Sequence, residues 1–167
     1  MRKLAHKLVL AAGAAAILGA GTIAVSAQQG DKLAIIKARQ DFMEDQQHAV
    51  GQIQAFAKGT GDRQGAIDGV NKLLDLSSKM DAKFLAANFP TGTSATDFPD
   101  KTNTKPEFWQ HLDSVQAAPA KLHDAELKLA DIVKTGTPEE VGQAMTSTYR
   151  GSCNGLCHDS YRLPLKH

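Results

Sequence analysis

One segment, TPEEVGQAMTSTYRGSCNGLCHDSYR at residues 137–162, gives the strongest prediction of how this chain folds. Thr137 and Glu140 form a capping box with a proline between them in the first turn, which is typical of a helix start. Apolar residues at helical spacing follow and run into the part that holds both cysteines of the chain. The segment therefore predicts a helix over residues 137–161 that ends before Pro164.

The cysteines lie in CNGLCH, residues 153–158, where a histidine directly follows the second cysteine. Cys-x-x-Cys-His is the attachment signature of c-type haem, and here one further residue separates Cys153 from Cys157. Steps of three and four residues rotate by about 300° and 400° on an α-helix, so both spacings leave the two cysteines on one face. A local π-bulge could absorb the additional residue, and Gly155 would make that distortion less costly.

The spacing leaves three outcomes open: two thioether bonds, one thioether bond from Cys157 with Cys153 free, or no haem. Without haem, the cysteines would form a disulfide or would bind a metal ion together with His158 and a fourth ligand from elsewhere. A disulfide over so short a loop would stabilise the chain little and would not explain the adjacent histidine. The segment therefore favours haem attachment over both alternatives.

Three further helices are predicted outside this segment. Apolar residues repeat at helical spacing over residues 31–58, 62–87 and 106–134. Pro119 lies inside the last of these and is expected to kink it or split it. Residues 89–105 are rich in Gly, Pro, Thr and Ser and predict a long irregular connection. The expected fold class is all-α, an antiparallel four-helix bundle with a long loop between helices 2 and 3.

The N-terminal residues 1–27 have the organisation of a signal peptide. Three basic residues precede an apolar, Ala- and Gly-rich run over residues 8–25, and small residues follow at the positions that a signal peptidase reads. A retained membrane anchor is the alternative, because the apolar run nearly reaches spanning length. We expect removal of the signal peptide, a periplasmic protein, and one mature domain over residues 28–167.

The composition of the mature part excludes several classes of protein. Removing residues 1–27 takes away three basic and no acidic residues, which changes the formal net charge from +1 to −2. No basic run suggests nucleic-acid binding, and no second apolar span suggests contact with a membrane after signal removal. No acid–base pair or nucleophile constellation suggests an enzyme.

Four segments, taken together, resemble the class II cytochromes c, the cytochrome c prime family. The matching segments are HDSYR (158–162), RQ (39–40), FPTGT (89–93) and KPEFW (105–109). The resemblance implies an exported four-helix bundle with one covalently attached haem c per chain, and a homodimer formed through the first two helices. The chain departs from the family at Cys153, because the family has two residues between its cysteines and this chain has three.

The residues and the resemblance together suggest roles at the haem. His158 is the expected proximal iron ligand, and Cys153 and Cys157 are the expected attachment points. Arg39 lies on a helical stripe with apolar residues, and its guanidinium needs an anion, which a haem propionate would supply. Gln40 is placed beside the haem by the resemblance alone.

Met43 lies one helical turn after Arg39, where the family places the residue that faces the distal side of the iron. If the Met43 sulfur binds the iron, the site is six-coordinate and suited to electron transfer. If the side chain only packs over the iron, the site is five-coordinate and a diatomic gas can displace it. The family precedent favours the five-coordinate site. His48, His111 and His123 are alternative ligands in principle, and solvated surface positions are expected for all three.

The leading hypothesis is a periplasmic c-type haem protein, similar to cytochrome c prime, that binds NO or CO at a five-coordinate haem, transfers electrons to a redox partner protein, or does both. One alternative is a low-spin electron carrier with Met43 as the sixth ligand. Another is a haem-free periplasmic bundle that uses Cys153, Cys157 and His158 for metal binding or a disulfide.

Overall fold

The structure, a computed structural model, describes residues 20–164 of the chain. By compactness the chain divides into two units, residues 1–31 and residues 32–167. In the first unit the described residues 20–31 are helical. Of the predicted signal peptide, residues 1–27, the first 19 residues lie outside the described range. Over the described range, no helix combines the length and the apolar character needed to cross a membrane.

Helices make up most of the described chain. In order, they are α1 (Ala20–Ala57), α2 (Arg63–Ser78), α3 (Ala82–Asn88), a 3₁₀ helix (Pro106–His111), α4 (Leu112–Thr135), α5 (Pro138–Tyr149), a π-helix (Arg150–His158) and α6 (Asp159–Tyr161). Helices α1, α2, α4 and α5 form the four-helix bundle, and the long loop precedes the 3₁₀ helix. The predicted fold class is confirmed.

The predicted second helix, residues 62–87, is two helices in the structure. Helix α2 ends at Ser78, where the backbone N–H groups of Lys79 and Met80 bond to carbonyl oxygens of the preceding turn. The Asp81 carboxylate then accepts a hydrogen bond of 2.7 Å from the Phe84 N–H and caps α3. The prediction of one continuous helix is wrong because this local N-cap competes successfully with the helical periodicity.

Helix α4 continues through Pro119 to Thr135. Of the two predicted effects of Pro119, a kink or a split, the split does not occur. Proline removes one hydrogen bond from the helix, but the residues around it bury an apolar face that holds both halves in place. That face includes Val115, Ala118 and Leu122, all of them buried.

The hydrophobic core lies between α1, α2, α4 and α5. Its buried members are Ala49, Ile53, Phe56, Ala66, Val70, Leu73, Leu129, Ala130, Val133, Val141 and Met145. Burying a Val, Leu, Ile or Phe side chain contributes about 1.5–3 kcal/mol, so this cluster dominates the stability of the bundle. These residues lie toward the α1–α2 and α4–α5 connections, and the opposite end of the bundle contains a cavity.

Candidate functional site

A cavity of about 470 Å³ opens at the end of the bundle away from the hydrophobic core. Its wall is mainly apolar and comes from α1, α3, α4, the long loop and the C-terminal segment. All six site residues expected from the sequence line it: Arg39, Gln40, Met43, Cys153, Cys157 and His158. The fold thus brings residues of the first helix to the cysteine segment, more than 100 residues away in sequence.

The cysteine segment has π-helical geometry over Arg150–His158. In this geometry the N–H of each residue bonds to the carbonyl five residues back, as the Asp159 N–H does to the Asn154 oxygen at the C-terminal end. Each turn then contains roughly one residue more than the 3.6 residues of an α-helix. A step of four residues along the π-helix therefore matches a step of three along an α-helix. The π-bulge considered from the sequence is confirmed.

Gly155 fits this tight π-turn because it has no Cβ atom. A Cβ at position 155 would lie 2.8 Å from the carbonyl oxygen of Arg150, five residues earlier. The Ser152 hydroxyl donates to the Thr148 carbonyl oxygen and links the π-helix to the end of α5. The shape of the segment thus depends on a missing side chain at one position and on a hydroxyl at another.

Cys153 and Cys157 are both partly buried, and their sulfurs are not bonded to each other. Burial raises the pKa of the Cys153 thiol to about 12, with smaller contributions from Glu126 and Cys157. Burial also raises the pKa of the Cys157 thiol. Both thiols are therefore protonated at neutral pH, and thiolate chemistry such as disulfide exchange is suppressed.

The described part of the chain contains no group of three or more His, Cys, Asp or Glu side chains arranged to hold a metal ion. In the haem-free alternative, Cys153, Cys157 and His158 hold a metal ion. Within the described residues these three side chains are not arranged around a common point, and no fourth ligand joins them. The disulfide of the other haem-free alternative is not formed either, since both sulfurs are free.

His158 is half-buried in the cavity wall. Burial lowers the pKa of its imidazole, the nearby positive charge of Arg162 lowers it further, and Asp159 opposes both. The imidazole is therefore neutral at neutral pH, which is the form that binds a metal. Arg162 itself lies at the edge of the cavity and is exposed.

Arg39 is only 4% exposed, and its guanidinium connects α1 to the long loop. It donates to the carbonyl oxygens of Asn88 and Thr93 at 3.3 and 3.2 Å, and to the hydroxyls of Thr93 and Thr102 at 3.1 and 3.2 Å. Burial lowers the pKa of Arg39 to about 10, so the group stays charged at neutral pH. Arg39 belongs to none of the ion pairs formed within the described residues. Its positive charge at the cavity wall suits an anionic group inside the cavity.

The long loop pairs with the residues that follow the cysteine segment. An isolated antiparallel bridge joins Thr104 to Arg162. The Lys105 N–H donates to the Tyr161 oxygen at 2.9 Å, and the Leu163 N–H donates to the Asn103 oxygen at 2.8 Å. This backbone pairing holds the loop against the C-terminal end of the π-helix and completes one wall of the cavity.

Aromatic side chains form another part of this wall. The Phe108 ring stacks on Phe89 with ring centroids 4.8 Å apart and meets Tyr161 edge-on at 5.9 Å. The Trp109 indole N–H donates to the Phe89 carbonyl oxygen at 2.9 Å. Phe108 therefore lines the cavity, and Trp109 holds the loop behind it.

Two residues on the Met43 side of the cavity were missed from the sequence. Met80 and Gln46 both line the cavity, and the Gln46 amide contacts the Met80 sulfur at 3.5 Å. Met80 lies in the break between α2 and α3, where the apolar periodicity predicts a continuous helix. Gln40 bonds through its amide N–H to the Lys101 oxygen at 2.8 Å and closes the same edge.

The three other histidines considered from the sequence do not line the cavity. His48 and His111 are exposed, as predicted. His123 differs from the prediction, because it is partly buried and its Nδ1 atom lies 2.8 Å from the Ser77 hydroxyl oxygen.

Comparison with known proteins agrees with this geometry. A family model described as Cytochrome C′ matches residues 34–162. A cytochrome c′ from Rhodobacter Spheriodes is 26% identical, with 80% of this chain and 98% of that chain covered and a TM-score of 0.69. A cytochrome c′ with an unusual ligand-controlled dimer dissociation is 25% identical, with coverages of 80% and 97% and a TM-score of 0.66.

A third structure, a cytochrome c′ from Thermochromatium tepidum, is 24% identical, with 80% of this chain and 97% of that chain covered and a TM-score of 0.66. At this identity the match supports the fold alone. A search of curated proteins gives no match to the chain.

Proposed function

The chain belongs to the cytochrome c′ family, and on that premise we propose that it is an exported protein that carries one covalently bound haem c and binds a diatomic gas. The observation that supports this most directly is the position of Cys153, Cys157 and His158 on one wall of a single cavity. When bound, the haem would supply a redox-active iron that can bind a diatomic ligand.

The cavity fits such a group in size and chemistry. Its volume of about 470 Å³ lies within the range of about 300–1,000 Å³ that is usual for pockets that bury small molecules. The wall is mainly apolar, as a porphyrin ring requires. Arg39 supplies a positive charge that no acidic side chain among the described residues neutralises, and a propionate would neutralise it.

We assign both cysteines to thioether bonds. The π-helix gives the four-residue step from Cys153 to Cys157 the rotation that a three-residue step has in an α-helix. Both thiols are protonated and held in the cavity wall, where neither is consumed by a disulfide. His158 is the proximal ligand in this assignment, because its lowered pKa keeps the imidazole neutral.

In this proposal the Met43 side chain would lie on the distal side of the haem without binding its iron. Its side chain is partly buried and lines the cavity, and methionine is flexible enough to move aside for a gas such as NO or CO. Polar side chains at the same edge, Gln40 and Gln46, would meet the incoming ligand.

Covalent attachment is tested by extraction and mass spectrometry. Protein purified from a host with haem maturation should keep its colour through acid-acetone extraction and should gain the mass of one haem. Loss of all haem in the extraction would overturn covalent attachment. Mass analysis of the N-terminus after export should show a mature chain that starts near residue 28.

The number of thioether bonds is tested with matched variants. Cys153→Ala and Cys157→Ala should each leave one unreacted vinyl group, which shifts the pyridine haemochrome band to longer wavelength than in the wild type. An unchanged band in Cys153→Ala would show that Cys153 carries no thioether.

We also propose a homodimer through the first two helices. Support comes from the family and from the relative whose dimer dissociates under ligand control. Sedimentation analysis of the haem-loaded protein without CO should show a dimer, and a monomer under this condition would contradict the proposal.

A further inference from the structure

Glu126 is a buried carboxyl group that the proposed function does not use. The residue is 1% exposed on α4, and its Oε2 atom is buried without a hydrogen-bond partner. None of the ion pairs formed by the described residues includes it. Because an unpaired buried carboxylate is costly, the protonation of Glu126 depends strongly on the charge of its surroundings.

Glu126 lies about one helical turn beyond the residues of α4 that line the cavity. On this helix Val115, Ala118 and Leu122 line the cavity, and Glu126 follows Leu122 by four residues, about 6 Å further along the same face. From the other side, Cys153 lies near enough to Glu126 for the carboxylate to raise the pKa of its thiol. The carboxyl group is thus next to the wall where the proposed haem is attached.

Polar side chains lead from Glu126 toward the protein surface. The Ser77 hydroxyl on α2 lies close enough to the Glu126 carboxyl group to oppose the rise of its pKa. The same hydroxyl oxygen is 2.8 Å from Nδ1 of His123, which is partly exposed. A carboxyl group, a hydroxyl and an imidazole in series are the groups that pass protons in proteins.

No cation faces Glu126 among the groups that interact with it. Ser77 comes from α2, Cys153 from the π-helix, and Tyr149 from α5, where its hydroxyl is buried without a partner. His123 lies one turn earlier on the same helix. The part of α1 that enters the adjoining core is apolar. A change of charge inside the cavity is therefore the electrostatic change that affects the ionisation of this carboxyl group most.

We propose that Glu126 takes up a proton when the haem iron is reduced, with Ser77 and His123 as its path to water. The proposal rests on the proposed function, because it needs the haem. As one electron from an external one-electron donor converts ferric to ferrous iron, the Glu126 carboxylate binds one proton from water, so the net charge of the site is conserved. On reoxidation the electron leaves and Glu126 releases the proton through the same path.

The titration range of Glu126 supports this coupling. Burial raises the pKa of Glu126 to about 7, although the Ser77 hydroxyl opposes the shift. The group is therefore close to half-ionised at neutral pH, where removing one positive charge nearby moves it toward the protonated form. Reduction is then favoured at low pH, and the reduction potential falls as the pH rises through about 7.

The test is the pH dependence of the reduction potential of the haem-loaded protein. For the wild type we expect the reduction equilibrium constant to fall with pH around 7, by at most tenfold per pH unit for one proton per electron. Glu126→Gln should remove this slope, although the haem propionates remain in place. Asp124→Asn is the matched control, because Asp124 is an exposed carboxyl group on the same helix, and it should keep the wild-type slope.

A second measurement uses the wild type alone and so does not depend on the variant folding. Reduced-minus-oxidised infrared spectra should show a new C=O band of a protonated carboxyl group, which shifts when glutamate is labelled with carbon-13.

The path is tested with a further variant. His123→Gln should slow proton uptake without changing the dependence of the reduction potential on pH. If the reduction potential of the haem-loaded protein does not change with pH, or if the infrared band does not appear, this proposal alone is overturned. Absence of covalent haem would overturn the proposed function together with it.

Discussion

The Cα atom of Gly155 faces the carbonyl oxygen of Arg150 so closely that a Cβ atom at position 155 would lie 2.8 Å from that oxygen. No other side chain fits this π-turn without a shift of the backbone. The same turn sets the relative rotation of Cys153 and Cys157. The size of one residue therefore controls the relative placement of the two sulfurs, and under the proposed function it would decide whether both reach one haem.

Gly155→Ala should destabilise the protein by about 1–3 kcal/mol, the range for overpacking a tight site, and should lower the fraction of protein with two thioether bonds. Urea unfolding and the pyridine haemochrome spectrum measure the two effects. Gly151→Ala is the matched control, because a Cβ at Gly151 meets no atom within 4 Å. Equal behaviour of the two variants would show that the π-turn is not needed.

Arg39→Lys should destabilise the protein by at least about 1.5–3 kcal/mol, because lysine cannot replace a guanidinium that serves four acceptors, and hydrogen bonds to charged groups have this magnitude. Lys37→Gln is the control on the same helix. Lys37 pairs with Asp41 on the exposed surface, where solvent screens the pair, and its loss should leave the free energy of unfolding nearly unchanged. Denaturant unfolding of both variants checks the difference, and a fully stable Arg39→Lys protein would contradict it.

Stability should fall as the pH rises from about 5 to 8, because the folded protein holds a proton on Glu126 more tightly than the unfolded chain does. The folded pKa is about 7 and the ordinary value is 4.5. The contribution is complete below the ordinary value and is lost as the pH passes the folded value, with a size on the order of 3 kcal/mol.

Glu126→Gln should remove this pH dependence and should be more stable than the wild type at pH 8. Urea unfolding at several pH values measures it. The prediction fails if the two proteins lose stability in parallel.

Met43→Ala should leave the absorption spectrum of the haem-loaded protein high-spin and should speed the binding of CO, since the side chain that must move aside is gone. Met80→Leu is the matched control, because Met80 also lines the cavity and contacts Gln46. Conversion from a low-spin to a high-spin spectrum in Met43→Ala would instead identify Met43 as the sixth ligand.

The helices and the cysteine segment could be predicted because their signals are local. The capping box at Thr137 and Glu140 is present, and the inserted residue of the cysteine segment has the π-helical geometry that its spacing suggested. The break between α2 and α3 also has a local signal, the Asp81 cap, but the apolar periodicity on both sides outweighed it.

The remaining features depend on contacts between distant parts of the chain. Arg39 bonds to Thr102, 63 residues away, and Ser77 meets His123, 46 residues away. Glu126 has the sequence context of a solvated helix position, between an alanine and a leucine. Only the crossing of α2, α4 and the π-helix shows that it is buried, because its burial depends on which face of α4 the other helices cover.

The pairing of the long loop with residues 161–163 has a consequence for biogenesis. Asn103 and Lys105 bond to backbone groups of Leu163 and Tyr161, which follow the cysteine segment, so this wall of the cavity closes only when the two segments dock. The core between α1, α2, α4 and α5 does not depend on that docking. Under the proposed function, we therefore expect haem attachment to precede the docking of the loop, which then closes the cavity behind the cofactor.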